Sequence, residues 1–462
     1  MIAPRDRTLL GEVSGFIAER MGLHFPEERW PDLARGLKAA GQELGFEYPD
    51  ACVRWLRTRE LTARQIETLA SYLTVGETYF FRDPASFEAL ELEILPPLVA
   101  RRSEAGRTLR LWSAGCCTGE EAYSLAITCA RALPDLRAWN VSILATDINP
   151  RFLAQAEAGV YSAWSFRGAP RWLRERFFSP APDKELAIDP TVKQLVHFAY
   201  LNLAEDVYPS LPSHTNAMDV ILCRNVLMYF TPDHQRRVAA ALHGCLVDGG
   251  YLLVNPAEAS SALFPMFATE NIGGVSLYRK TTSQPTGVES RPGLVWPGPA
   301  PPVPAPPPAF IVAPAPPEPA APATPAAPTP ASPPENHRLR ARTYANQGRL
   351  EEGLTSCRNA IAAERTNPAG YFLYATICNE LGRLEEAVVA LGKVLYLDQD
   401  FVLAHHALGG LHKRLGRKKE SGRHLAIALQ LLSARSRDEI VPESEGMTCG
   451  RLVEAVRAMT GA

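Results

Sequence analysis

The segment Leu111-Trp-Ser-Ala-Gly-Cys-Cys-Thr-Gly-Glu-Glu-Ala-Tyr-Ser124 sets Gly115 and Gly119 in a run of small residues, with Glu120 directly after. Glycines let a backbone approach a ligand lying over a strand end. An acid at the following helix start suits an ammonium such as that of a methionine moiety, whereas a phosphate would want bare N–H groups or a lysine. Further on, Ala145-Thr-Asp147-Ile-Asn149 puts a carboxylate where the next strand ends, in position to accept hydrogen bonds from two ribose hydroxyls. A glycine turn followed by such an acid is shared with NAD enzymes. Cys116, Cys117 and Glu120 stand against that reading, because its GxGxxG pattern needs a phosphate-facing helix start.

Two further segments carry polar groups at places where a fold can use them. Thr78-Tyr-Phe-Phe81-Arg82-Asp83 follows two adjacent aromatics with a permanently charged guanidinium; a plug at a domain interface would also account for it. Ile221-Leu-Cys-Arg224-Asn225-Val-Leu-Met-Tyr229-Phe230 is a buried-strand pattern ending in polar groups. Open parallel sheets bind ligands at the carboxyl ends of their strands, so Arg224 and Asn225 are placed for binding, with Asn225 as a plain helix cap the alternative.

The elements that must position these groups follow from periodicity. From Thr8 to Leu73 apolar residues recur at helical spacing (Leu9, Val13, Phe16, Ile17; Ile66, Leu69, Tyr72, Leu73), which predicts a small all-helical unit. After Asp83 the pattern predicts strands at Leu109–Trp112, Val141–Thr146, Asp219–Cys223 and Gly250–Val254, with a helix at Glu120–Ala132. Such alternation implies an α/β domain whose largely parallel sheet is covered by helices on both faces.

The segments GETYFFRD, WSAGCCTGEEAYSLA, ATDINPRFL and CRNVLMYF, in this order, resemble the chemotaxis receptor methyltransferase (CheR) family over roughly residues 8–282. The resemblance implies a Rossmann-like S-adenosylmethionine-dependent protein-glutamate O-methyltransferase, acting on the cytoplasmic helices of methyl-accepting receptors in chemosensory signal transduction. It further implies that the cofactor is held by Gly76, Thr78 and Arg82, by Ala114 and Glu120, by Asp147 on the ribose, and by Asn202, Leu203, Arg224 and Asn225 around the adenine and sulfonium. Arg82 and Tyr229 are the residues assigned to orient the substrate carboxylate. Family members often carry Asn where this chain has Gly76. They also carry a small antiparallel insertion, here about residues 161–195, which in some members grips a receptor's C-terminal pentapeptide through a glycine-rich loop; this chain has Ser179-Pro-Ala-Pro-Asp-Lys-Glu185 instead. Arg54, Arg57, Arg59 and Arg64 could face an acidic receptor surface or simply line a solvated helix face. The runner-up function is a catalytically silent repeat scaffold that retains cofactor binding.

Residues 291–334 hold 19 of the 40 prolines and no periodic apolar face, so they are read as an extended linker that sets a second module at a distance without fixing its orientation. Beyond it, Gly348-Arg-Leu-Glu-Glu, Gly382-Arg-Leu-Glu-Glu and Gly416-Arg-Lys-Lys-Glu recur every 34 residues, the tetratricopeptide period. Small residues recur with them (Ala341, Ala375, Gly409; Gly353, Ala387, Ser421; Ala360, Val394, Ala428), letting paired helices approach closely. The expected divisions are 1–82 helical, 83–283 methyltransferase, 284–334 linker, 335–435 three helical repeats that recruit an unknown protein, and 436–462 a tail with a possible capping helix. A net charge of -2 gives no field for nucleic acid, and the sequence has no long apolar run, so membrane insertion is not expected. Nine scattered cysteines without metal-ligand spacing fit reduced thiols in the cytoplasm and no metal.

Overall fold

The computed structural model describes residues 4–46, 52, 55–56, 61–281 apart from 105 and 206, and 334–460 apart from 347, 438, 445 and 446. The proline-rich stretch up to residue 333 and Arg54, Arg57 and Arg59 lie outside the described residues; of that arginine group only Arg64 is described.

A seven-stranded sheet forms the centre, in the order β6-β2-β1-β7-β8-β10-β9. β1 (Thr108–Ala114), β2 (Asn140–Asp147), β6 (Val196–Tyr200), β7 (Met218–Leu222) and β8 (Leu246–Leu253) run parallel, while β9 (Ala268–Ile272) and β10 (Val275–Arg279) add an antiparallel pair at one edge. All five β7 residues are buried, as expected of a parallel strand covered on both faces. Along β1 the side chains alternate: Leu109 and Leu111 join one apolar cluster with Tyr123 and Ile127, and Trp112 and Ala114 join another with Val13, Ile17, Leu37 and Leu69. The N-terminal helices Pro4–Met21, Trp30–Glu43 and Ala63–Leu73 therefore share their core with one sheet face. A three-stranded antiparallel sheet, β3 (Val160–Tyr161), β5 (Leu186–Ile188) and β4 (Phe178–Pro180), is inserted between β2 and β6.

The helix Glu120–Ala132 begins where the sequence places it. The two glycines before it are required by packing as well as by turning: a Cβ on Gly115 would stand 2.4 Å from Val226 Cγ2 and one on Gly119 would stand 2.8 Å from Ala156 Cβ, at φ of +82° and +91°.

The repeats pair helix Pro334–Asn346 with Leu350–Ala363, Pro368–Glu380 with Leu384–Leu397, and Val402–Arg414 with Lys418–Ser433. The recurring glycines end the first helix of each pair in the left-handed region, at φ of +75°, +73° and +73°. At each, the next residue's N–H (Arg349, Arg383, Arg417) bonds a carbonyl five positions back, which closes the helix end without a side chain. The arginine that follows also staples neighbouring repeats, Arg383 to Glu351 and Arg417 to Glu385, each at 2.5 Å. Helix Cys449–Thr460 lays Leu452 and Val456 onto Leu425 and Leu432 of the last repeat.

The expectation of a module held at a distance is corrected by the contacts between the two halves. Leu211, from the loop before β7, is 1 % exposed and packs within the repeats' own apolar cluster, and Glu380 pairs with Arg110 of β1. Composition of a linker sets reach, and cannot reveal whether the tethered surfaces are complementary.

Close helix approach in the third repeat rests on Gly409, where an added Cβ would meet Leu425 Cδ2 at 2.4 Å. Gly409→Ala should destabilise the repeats by about 1–3 kcal/mol through overpacking. Denaturant unfolding followed by helical circular dichroism checks this; an unchanged repeat transition would mean the column is not limited by packing.

Candidate active site

A cleft opens between the N-terminal helices and the carboxyl ends of β1, β2 and β7. Its walls bring together Thr78, Arg82, Asp147, Asn202, Leu203, Arg224, Asn225 and Tyr229, residues drawn from four separate segments. The remaining expected ligands lie off the walls. Ala114 is fully buried in the sheet, and Glu120 turns its carboxylate to the Thr118 hydroxyl at 2.6 Å. Glu121, which the sequence reading passed over, lines the cleft instead. Gly76 lies beside the wall residue Phe152, whose ring would stand 2.7 Å from an added Cβ; any larger residue would have to displace that ring.

Asp147, at the end of β2, accepts the Cys117 N–H at 2.9 Å and the Asn149 N–H at 2.8 Å. The first bond ties the acid to the glycine turn, whose Gly115 and Cys116 N–H groups bond the Thr146 carbonyl. A carboxylate has about four lone-pair sites, so acceptor capacity remains for donors in the cleft. Burial pushes the Asp147 carboxyl up to about 6, against the opposing pull of the Asn149 and Cys117 N–H groups. Burial likewise raises Glu121, opposed first by the Arg224 guanidinium and then by the Ser113 hydroxyl, which donates to Glu121 at 2.7 Å.

Arg224 is not a free cation reaching for a ligand. Its side chain is 2 % exposed and donates to the Arg82 carbonyl at 2.9 Å and Asp83 Oδ2 at 3.1 Å, with Glu121 at 3.4 Å. Asp83 has φ of +63° and Phe81 has +54°, so this buried guanidinium locks a strained turn that holds Arg82 at the cleft. The Arg82 side chain donates to the Glu77 carbonyl at 2.6 Å. Asn202 is similarly engaged, its amide donating to the Arg20 carbonyl at 2.8 Å and so tying the sheet to the first helix.

Two other groups escaped the sequence reading. Glu258, 7 % exposed, accepts the N–H groups of Asn225 at 2.7 Å, Met228 at 3.1 Å and Asn255 at 3.2 Å, and so shapes the loop that presents Tyr229. An acid four residues past the strand pattern Gly250–Val254 was a usable signal. Arg29 stands over the Tyr229 ring at 5.7 Å and the Phe25 ring at 5.1 Å, also on the cleft wall, and no motif marks it. Among the described residues no group of His, Cys, Asp and Glu could hold a metal ion, and no helix is long and apolar enough to cross a membrane.

Residues 76–271 match the family described as CheR methyltransferase, SAM binding domain, and residues 368–401 match a tetratricopeptide repeat. A probable chemotaxis protein methyltransferase of Rhizobium etli is 35% identical over 217 residues, 46% of this chain and 78% of that protein. Chemotaxis protein methyltransferase 1 of Pseudomonas aeruginosa is 36% identical over 202 residues, 43% of this chain and 71% of that protein. An uncharacterized 104.1 kDa protein of Rhodobacter capsulatus is 33% identical over 272 residues, 55% of this chain but only 27% of that longer protein.

The residues present fit S-adenosylmethionine. Asp147 offers spare acceptor sites for ribose hydroxyls, while Phe152, Leu203 and Val226 supply apolar wall for a purine. If Asp147 binds the ribose, affinity depends on its ionised form, which is lost as pH falls through about 6. S-adenosylhomocysteine should then bind about tenfold more weakly at pH 5 than at pH 7.5 by calorimetry. Asp147→Asn should remove most of that slope. Stability runs the other way: the folded pKa of about 6 lies above the ordinary 3.8, so the empty protein gains stability as pH falls through that window. Unchanged affinity at pH 5 would overturn the ribose assignment.

Proposed function

The chain belongs to the CheR methyltransferase family, and from that premise we propose that it methylates glutamate side chains of chemotaxis-type receptors in the cytoplasm, using S-adenosylmethionine. The repeats serve as its protein-interaction module. In this reading the chain divides at about residues 82, 283, 334 and 435, and the receptor's cytoplasmic helices are the substrate. The observation that carries it is the juxtaposition, on one cleft, of Asp147 at the β2 end with Arg82 and Tyr229.

Bound S-adenosylmethionine supplies an electrophilic methyl group on a positively charged sulfur. The protein needs no general base, because a glutamate with an ordinary pKa near 4.3 is already ionised at neutral pH. Its task is alignment and exclusion of water. Asp147 holds the ribose, and the walls formed by Leu203 and Val226 keep water from the reacting centre. Arg82 donates a charge-assisted hydrogen bond to the incoming carboxylate, with the Tyr229 hydroxyl as the second contact. A single-point contact suits this chemistry better than a bidentate clamp, which would quench the nucleophile. Arg224 acts through Arg82, since removing its bond to the Arg82 carbonyl would free the strained turn.

Radiolabelled S-adenosylmethionine and receptor-containing membranes from the protein's own host provide the test. Base-labile label on a receptor-sized band is the expected product, and its absence would overturn the substrate assignment. Arg82→Ala should lower methyl transfer on the order of a hundredfold, while S-adenosylhomocysteine affinity changes by less than about threefold. Equal losses in both would make Arg82 a cofactor ligand only.

A further inference from the structure

Position 380 is the last residue of the second repeat's first helix, and the repeat period places Asn346 and Arg414 at its equivalents. The acid is therefore not part of the repeat pattern. It is 7 % exposed, and both side chains that meet its carboxylate come from the half of the chain that carries the sheet. Glu380 pairs with the Arg110 guanidinium of β1, and its Oε1 lies 2.8 Å from His214 Nδ1. Burying a carboxylate is costly unless charge and hydrogen bonds meet it, so a surface that supplies both is matched to it. Arg110 is braced in turn, donating to the His214 carbonyl at 3.0 Å.

Apolar and backbone contacts extend the match on either side. Leu211 is buried within the repeats' cluster beside Leu373 and Leu408. Asn216 donates its side-chain amide to the Ala345 carbonyl at 3.3 Å, and Gly348 comes so close that an added Cβ would stand 3.0 Å from Val247 Cγ1. Desolvation against the repeats and the neighbouring Arg110 lower the His214 ring below its ordinary value, so Arg110 is the cation that meets Glu380 and His214 adds a hydrogen bond.

We propose that this is a built docking surface: the loop before β7 and the start of β1 seat the repeat module, with Glu380 as the latch. The seat lies at the start of strands whose other ends form the cleft. Arg110 and Ala114 are four positions apart along β1, about 13 Å of strand. The module thus sits at the opposite end of the strands, and no described repeat residue lines the cleft. It is a fixed anchor, and the helix ends that carry Ala345 and Glu380 are unavailable to outside partners while it is seated.

Small-angle scattering on the intact chain tests this. Glu380→Arg places a cation against Arg110, and Leu211→Glu places an acid in the repeats' apolar cluster from the opposite partner. Both variants should give a larger radius of gyration and a longer maximum dimension than the unmodified chain, with S-adenosylhomocysteine affinity unchanged. Leu211→Glu decides the matter should Glu380→Arg lose helical circular dichroism. Scattering from Leu211→Glu indistinguishable from that of the unmodified chain would overturn the docking surface. An expanded Leu211→Glu beside an unexpanded, fully helical Glu380→Arg would overturn Glu380 as its latch.

Discussion

The site depends on one buried cation. Arg224, just past the end of the fully buried β7, binds a carbonyl and a carboxylate of the Arg82-Asp83 turn and the Glu121 carboxylate from the helix after β1. Without that guanidinium, Asp83 and Glu121 would each lose a cationic partner, and a turn at positive φ would keep only its neutral hydrogen bonds, among them Phe81 N–H to the Ser124 hydroxyl and the Ser86 hydroxyl to Asp83. Three chain segments that meet nowhere in sequence are fixed relative to one another by a single side chain. Arg82 then projects into the cleft from a backbone whose carbonyl is tied to Arg224.

The starting end of β7 repeats the logic with the charges reversed. Asp219 is fully buried, accepts from Arg102 Nε at 2.9 Å and from the Arg110 backbone N–H at 3.0 Å. That second bond fixes Arg110, whose guanidinium faces Glu380 of the repeats. A short apolar strand thus carries an acid near one end and a base just past the other. Each orders the groups around it: the cleft at one end, the seat of the second module at the other.

Much of this was legible in the sequence where local pattern and chemistry coincide. The strand, glycine turn and helix around Gly115 form as read, because periodicity, small residues and an acidic first turn all favour the same local structure. The repeat glycines were equally plain, since each must adopt a left-handed cap. What escaped depends on phase or on distance. Glu120 and Glu121 are adjacent acids on one helix, about 100° apart around its axis, and only packing decides which faces the cleft. β6, β9 and β10 are five residues each and partly exposed, so their pattern resembles that of loops. Gly76 was read as a cofactor contact; its close neighbour is Phe152, 76 positions away. The Glu380 pairing joins residues 270 apart, with the unperiodic linker between them.

The charges around the cleft suggest how two reactants of opposite sign are kept in order under the proposed reaction. Asp147, Glu121 and Glu77 line it and Glu258 lies behind it, four acids that favour a cationic sulfonium cofactor and would repel a glutamate. The Arg224 guanidinium offsets Glu121 but is spent on the turn, so it offers the substrate little. Arg82 and Arg29 are the cations left on the wall, and Arg29 lies directly over Tyr229. These two guanidiniums are what an incoming carboxylate can pair with, and bound cofactor would add a further positive charge at the reacting centre. Order of binding then follows from electrostatics: the acids recruit the cation first, and the cation completes a site that an anion can enter.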